Sequence, residues 1–358
     1  MSKTLSIKSR IGDYGVQFTD DFLAHLRADT KKRRSFLIID ENVYRLYQKK
    51  LQPFVRANPA MIVRAVEPNK SFAGSRKLID FLLTHNFKRN DWIIAIGGGI
   101  IQDIAGFTAS ILFRGVAWVF YPTTLLAQAD SCIGSKNCVN VGKFKNQLGT
   151  FYPPAHIVLD THFLKSLDHA DILSGMGEII KFSLLDGRKS FAVVARAYDK
   201  ALKDQATLCR LIFHTLKLKK KLIEIDEFDR GIRNIFNYGH TFGHAIESIT
   251  NYRVRHGQAI TLGMDMANFI SVRKGMLKQG DFAAMSAVIR KNSPRFHLSA
   301  GKKKAYFLSL SKDKKNIGRQ LTCILMRGPG RAVKISLPFD GELKQAIRDY
   351  FALTRKRR

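Results

Sequence analysis

Asp91-Trp92-Ile93-Ile94-Ala95-Ile96-Gly97-Gly98-Gly99 is the stretch on which the reading of the fold turns. A run of buried-strand character ends in three glycines, and a helical pattern follows from about 100 to 112. Glycines at a strand-to-helix turn let backbone N–H groups approach a pyrophosphate, and the helix N-terminus favours the anion. The same residues also suit a plain tight turn. The spacing is not Gly-x-Gly-x-x-Gly, so a standard Rossmann assignment does not follow.

The alternation continues on either side. Ser35-Phe36-Leu37-Ile38-Ile39-Asp40 reads as a buried strand, followed by a helical pattern over 41–51. A strand over 61–66 leads to a helix over 71–86. Two more strands cover 117–121, ending in Pro122-Thr123-Thr124, and 155–160. Strands alternating with helices at this spacing predict a parallel, doubly wound α/β sheet. Asp40 stands at a strand end, where it suits either ribose hydroxyls or the cap of the next helix. Thr123 and Thr124 are likewise caps or ligand donors. Beyond 161 the pattern becomes helical, over 170–185, 189–225, 240–250, 257–275, 280–292 and 341–353. A β-rich pair, 321–326 and 332–336, brackets Gly328-Pro329-Gly330. The predicted organisation is an α/β domain over 1–160 and a mainly α-helical domain over 161–358.

The 358 residues are 45% apolar and 25% charged, as in a soluble globular protein long enough for two cores. No apolar run approaches the roughly 18 residues of a membrane span. The first residues lack the apolar centre of a signal peptide. Cys132, Cys138, Cys209 and Cys323 form no CxxC pair, which fits a reducing cytoplasm. The net charge of +31 is unusual. Such an excess either binds nucleic acid non-specifically or draws anionic substrates. The basic runs lack interleaved aromatics, so a solvated basic surface is the simpler expectation, with no nucleic-acid partner and no membrane.

Chemistry concentrates in Gly239-His240-Thr241-Phe242-Gly243-His244 and Arg255-His256-Gly257-Gln258, which hold three of the ten histidines. Neutral imidazole is a common ligand for a catalytic divalent metal. His240 and His244 share one helix face, and His256 returns from the next element. Glu178 is a candidate carboxylate ligand. Spacing does not separate His240 from His244, and two ordinary helical histidines remain the bland alternative.

These residues, with others in order, resemble the 3-dehydroquinate synthase family and its sugar-phosphate cyclase relatives. The matching phrases are 97–107, 113–115, 122–130, Lys145-Asn146, 175–181, Asp226-Glu227, Arg233, 237–247 and His256-Gly257. The resemblance implies a cytoplasmic homodimer that uses NAD and zinc, or another divalent metal such as cobalt. The implied reaction cyclises a seven-carbon keto-acid phosphate to dehydroquinate and releases phosphate, a lyase step of the shikimate pathway. It places the metal on Glu178, His240 and His256. Catalytic positions fall on Lys136, Lys181, Lys219, Arg233, Asn237 and His244, and substrate positions on Arg114, Asp130, Asn146 and Lys314 (or Lys315). Cofactor positions fall on Asp40, Glu67, Lys70, Gly98, Gly99, Asp103, Thr123, Thr124 and Lys145. Arg114 matches a residue that family dimers lend across their interface. By the same resemblance, the active site is expected in the cleft between the two domains.

Several positions depart from the usual pattern. The common Gly-Gly-Lys-Thr-Gly is here Gly134-Ser135-Lys136-Asn137-Cys138. Gln258 stands where an acid usually follows His-Gly, Gly177 where alanine is usual, and Phe228 where arginine is usual. Retention of Lys219, Arg233 and Asn237 favours a substrate bearing a carboxylate over the cyclitol-forming relatives. It leaves the amino analogue of the same keto acid open. A metal-dependent polyol dehydrogenase and a nucleic-acid-binding homologue without activity are the rival readings.

Overall fold

Two short strands that the periodicity did not single out open the chain: β1 (Lys3–Ile7) and β2 (Tyr14–Thr19) pair antiparallel. Then follow α1 (Phe22–Lys32), β3 (Ser35–Asp40), α2 (Glu41–Leu46), α3 (Gln48–Ala57), β4 (Ala60–Val63) and α4 (Phe72–Thr84). After these come β5 (Trp92–Gly97), α5 (Gly99–Ile111), β6 (Trp118–Pro122), β7 (Lys136–Val141), β8 (Phe144–Phe151) and β9 (His156–Asp160). This computed structural model describes residues 3–142, 144–312, 316, 318 and 320–356. The chain divides into two units, Met1–Asp168 with Lys219–Phe228, and His169–Leu218 with Asp229–Arg358.

In the first unit seven strands form one sheet in the order β1-β2-β9-β6-β5-β3-β4, parallel from β2 onward. Every residue of β3 is buried, as a central parallel strand requires. Leu37, Ile39, Ile94, Ile96, Val119 and Val158 pack one face against Phe22, Leu26, Val43 and Leu51 of the first three helices. The predicted helix over 41–51 is two helices, because Tyr47 leaves helical geometry between them. A separate hairpin, β7–β8, follows the turn around Ser135. Low hydrophobic alternation hides it in the sequence, since β8 is mostly exposed.

The second unit holds α6 (His169–Asp186), α7 (Arg188–Ala201), most of α8 (Gln205–Ile225), α9 (His240–Ile249), α10 (His256–Arg273), α11 (Gln279–Asn292), α12 (Ala300–Ser311) and α13 (Gly341–Lys356). The strands β10 (Gln320–Met326) and β11 (Ala332–Pro338) pair antiparallel, as the β-rich pair predicted. One predicted helix over 189–225 is two, α7 and α8, broken at Leu202–Asp204. Helix α10 is the hub, packed against α6, α9 and α11, and it is buried almost all round. Among the described residues no helix is long and apolar enough to cross a membrane.

Candidate metal centre and cofactor cradle

Three helices of the second unit meet through glycines. At Gly177 of α6 a Cβ would strike the Gly257 carbonyl, and at Gly257 of α10 it would strike that of Ser174. At Gly263 of α10 a Cβ would strike the Gly239 carbonyl at the start of α9. At Gly243 it would come within 2.9 Å of the Ala259 carbonyl. These backbones touch, so the residues beside the glycines are brought together: Glu178 next to Gly177, His240 next to Gly239 and His256 next to Gly257.

Glu178, His240 and His256 each offer a ligand atom within 4.8 Å of the other two. His240 Nδ1 lies 3.2 Å from the Tyr238 carbonyl, which places the ring proton on Nδ1 and the lone pair on Nε2. His256 Nδ1 lies 3.3 Å from both oxygens of Glu247, and its Nε2 is 3.7 Å from Glu178 Oε1. A carboxylate behind an imidazole whose other nitrogen faces a second carboxylate is the usual support of a metal-binding histidine. Burial works against charge on His256, but Glu247 and then Glu178 outweigh it and hold the imidazole above its ordinary value. Glu178 is wholly buried, and Lys181, one turn on, forms an ion pair with it. A buried carboxylate with two imidazoles fits a divalent ion of intermediate softness.

His244 shares the cluster, with ring centroids 5.1 Å from His240 and 5.8 Å from His256, and its side chain is half exposed. His244, Glu247 and His256 make a second group of three possible ligands. Glu247 was missed in the sequence. It falls three residues after His244 and seven after His240, on the same helical face, so its spacing carried the signal. It supplies a carboxylate beside His256, although Gln258, at the position where an acid is usual, is neutral. Arg233 is buried in the short turn Ile232–Asn237, whose last residue, Asn237, donates to the Asn234 carbonyl at 3.1 Å.

The first unit gathers the expected cofactor residues around the end of β5. Gly98 caps α5, and a Cβ there would lie 2.8 Å from Thr124 Cγ2. At Gly99 an added Cβ would meet only Ser131 Oγ, at 3.8 Å, so the turn leaves its backbone approachable by a phosphate. Thr123 N donates to the Gly97 carbonyl at 2.9 Å, joining the ends of β5 and β6. Asp40 Oδ1 accepts from Asn42 N at 2.8 Å, so it does cap α2, and burial raises its carboxyl. Lys70 Nζ donates to Asp103 Oδ2 at 2.9 Å and to Asn146 Oδ1 at 2.7 Å. Glu67 Oε1 lies 3.4 Å from Lys145 Nζ and accepts from Asn140 Nδ2 at 2.9 Å. Burial opposes the charge on Lys70, but Asp103, Cys138 and Glu67 outweigh it and raise the amine above its usual value.

Lys70 is buried and Asp103 nearly so. Lys70→Met leaves a buried carboxylate without its cation, and should lower unfolding free energy by about 3 kcal/mol in a denaturant titration. A change under about 0.5 kcal/mol would mean the pair is solvent-screened.

Lys219 Nζ sits 2.6 Å from Asp130 Oδ1 and also donates to the Asp130 and Ile133 carbonyls, so these two expected site residues are direct partners. Lys136 is exposed at the start of β7. Before it, Ser135 has φ of 62°, a left-handed conformation that glycine adopts without strain, and its hydroxyl donates to Glu227. Arg114 is exposed and lies between Phe113 and Gly115 in a run of positive φ angles of 49°, 64° and 119°. Lys314, like Lys315, lies outside the described residues.

Residues 60–174 match the 3-dehydroquinate synthase N-terminal family and residues 175–316 the 3-dehydroquinate synthase C-terminal family. A 3-dehydroquinate synthase of Alkaliphilus metalliredigens is 36% identical over 305 residues, 84% of this chain and 86% of the relative. The chain belongs to the 3-dehydroquinate synthase family. Among solved structures, a 2-deoxy-scyllo-inosose synthase complexed with carbaglucose-6-phosphate, NAD+ and Co2+ aligns with TM-score 0.84 at 25% identity. That alignment covers 97% of this chain and 100% of the other. A 2-epi-5-epi-valiolone synthase from Streptomyces hygroscopicus subsp. jinggangensis with NAD+ and Zn2+ bound aligns at 0.85 and 22% identity, covering 99% of each chain, and so shares the fold. The predicted class, an α/β unit followed by a mainly helical one, is that of the synthase family.

Proposed function

We propose that the chain converts 3-deoxy-arabino-heptulosonate 7-phosphate to 3-dehydroquinate with release of phosphate, as a carbon–oxygen lyase of the shikimate pathway. The reading further includes NAD and a divalent metal, zinc or cobalt, as cofactors, and a homodimer in the cytoplasm. The observation that carries it is the cluster of Glu178, His240 and His256 within one ligand shell, in a chain 36% identical to a 3-dehydroquinate synthase. None of the four cysteines is joined in a disulfide, as a reducing compartment favours.

When bound, NAD supplies a hydride acceptor and donor, and the metal lowers the pKa of a substrate hydroxyl. Glu178, His240 and His256 are the residues that would hold the ion, and Lys181 offsets the Glu178 charge. Gly98, Gly99, Thr123 and Thr124 would take the cofactor's phosphates, and Asp40 its ribose. Glu67, Lys70, Asp103 and Lys145 form the polar wall beside them. Lys136, Asn237 and His244 are assigned to the substrate phosphate, whose own oxygens take the proton lost during elimination. Arg233 and Lys219 are assigned to the carboxylate, for which a planar guanidinium is well shaped. Asp130 holds Lys219 at 2.6 Å and so aims it. Asn146, Arg114 and Lys314 complete the substrate set, with Arg114 offered to a partner subunit. Cyclisation of a carboxylate-free sugar phosphate is the second reading, supported by the likeness to 2-deoxy-scyllo-inosose synthase. Sequence identity weighs for the first.

The test incubates the protein with NAD, Co2+ and the heptulosonate phosphate, and follows inorganic phosphate and dehydroquinate together. Equal yields of both with no build-up of NADH are expected. NADH accumulating on simple polyols without phosphate release would replace this reading with a polyol dehydrogenase.

A further inference from the structure

The imidazole of His256 is flanked on both edges by carboxylates, Glu178 at Nε2 and Glu247 at Nδ1. Only the first edge is used by the metal position described above. On the second edge, Glu247 Oε2 lies 3.3 Å from His256 Nδ1 and 3.9 Å from His244 Nε2. Ligand atoms on a tetrahedral zinc ion, with Zn–N of about 2.0–2.1 Å, stand roughly 3.3 Å apart. One of these separations already matches, and the longer one falls on the half-exposed His244. All three ligand atoms lie within 4.8 Å of one another.

We propose that His244, Glu247 and His256 form a second divalent-metal position, which shares His256 with the first and inhibits the enzyme when the ion is in excess. The proposal rests on the reading of Glu178, His240 and His256 as the first position. With Nε2 committed to the first position, the His256 ring would keep its proton on Nδ1 and donate a hydrogen bond through it to Glu247. The second ion replaces that proton and turns the ring into a bridge, so each second binding event releases one proton. Sharing a ligand makes the position the weaker of the two, and the half-exposed His244 gives solvent ions access to it. Occupancy ties up His244, which the proposed function assigns to the substrate phosphate, so turnover falls as the second ion binds.

Equilibrium dialysis of the metal-stripped full chain against Co2+ tests the idea. Expected are one tightly held equivalent and a second held about 100-fold more weakly. Glu178→Gln should lose the tight equivalent, and His244→Ala should keep it and lose the weak one. Wild-type activity should peak near one equivalent and decline as the second binds, returning when a weak chelator removes it. If His244→Ala melts early, His244→Phe keeps the ring volume without a ligand atom and serves in its place. A single equivalent throughout the wild-type titration, or a second that survives loss of His244, overturns the proposal and leaves the first position standing. A tight equivalent retained by Glu178→Gln instead sinks the first position itself.

Discussion

Glu178→Gln is expected to abolish turnover, lowering kcat by about a thousandfold or more, together with nearly all tight metal binding. The amide keeps the shape of the carboxylate but not its charge. Two imidazoles then face a divalent ion with no carboxylate among the three ligands, beside a wholly buried amide at position 178. The Lys181 ammonium, buried beside it, makes matters worse, because its pairing with Glu178 disappears and its charge repels the ion. Metal content after dialysis and phosphate release measured on the same preparation check both halves. Activity within tenfold of wild type at saturating metal would show that the carboxylate is dispensable. The metal-free variant should also lose about 3 kcal/mol of stability, since one partner of a buried ion pair has been removed.

Gly257→Ala should be the most damaging single-methyl change in the second unit. Its Cβ would meet the Ser174 carbonyl, a backbone atom that cannot rotate away, and the adjacent Gly257 N–H donates to Ser174 Oγ at 3.0 Å. Helices α6 and α10 must then part. Overpacking of this kind costs roughly 1–3 kcal/mol. The functional loss should be larger than that figure suggests, because the displaced residues are neighbours of Glu178 and His256. A fall in melting temperature with at least a tenfold loss of metal affinity is the expected pair of results. Unchanged affinity in a folded variant would mean that the glycine contact does not set the ligand spacing.

Much of the fold was legible in the sequence because buried parallel strands are short, continuous apolar runs. Those at 35–40, 91–96, 117–121 and 155–160 lie within a residue or two of β3, β5, β6 and β9. The pieces that were not read had weak patterns. β8 is exposed along most of its length, and α12 opens with the consecutive lysines Lys302, Lys303 and Lys304. The break at Tyr47 leaves no gap in the helical periodicity around it. The histidine phrases pointed to a metal, and the family resemblance, not spacing, chose His240 over His244. The geometry adds what neither supplied, namely that Glu247 stands behind His256. Spacing along α9 puts Glu247 on the face of His240 and His244, whereas its contact with the His256 ring on another helix comes only from the structure.

Main-chain atoms at the glycine crossings set how close α6 comes to α10, and share that role with Ile260 and Met264 between α9 and α10. For anyone hardening the protein against heat, the lesson is practical: mutate the periphery freely and leave the glycine crossings alone.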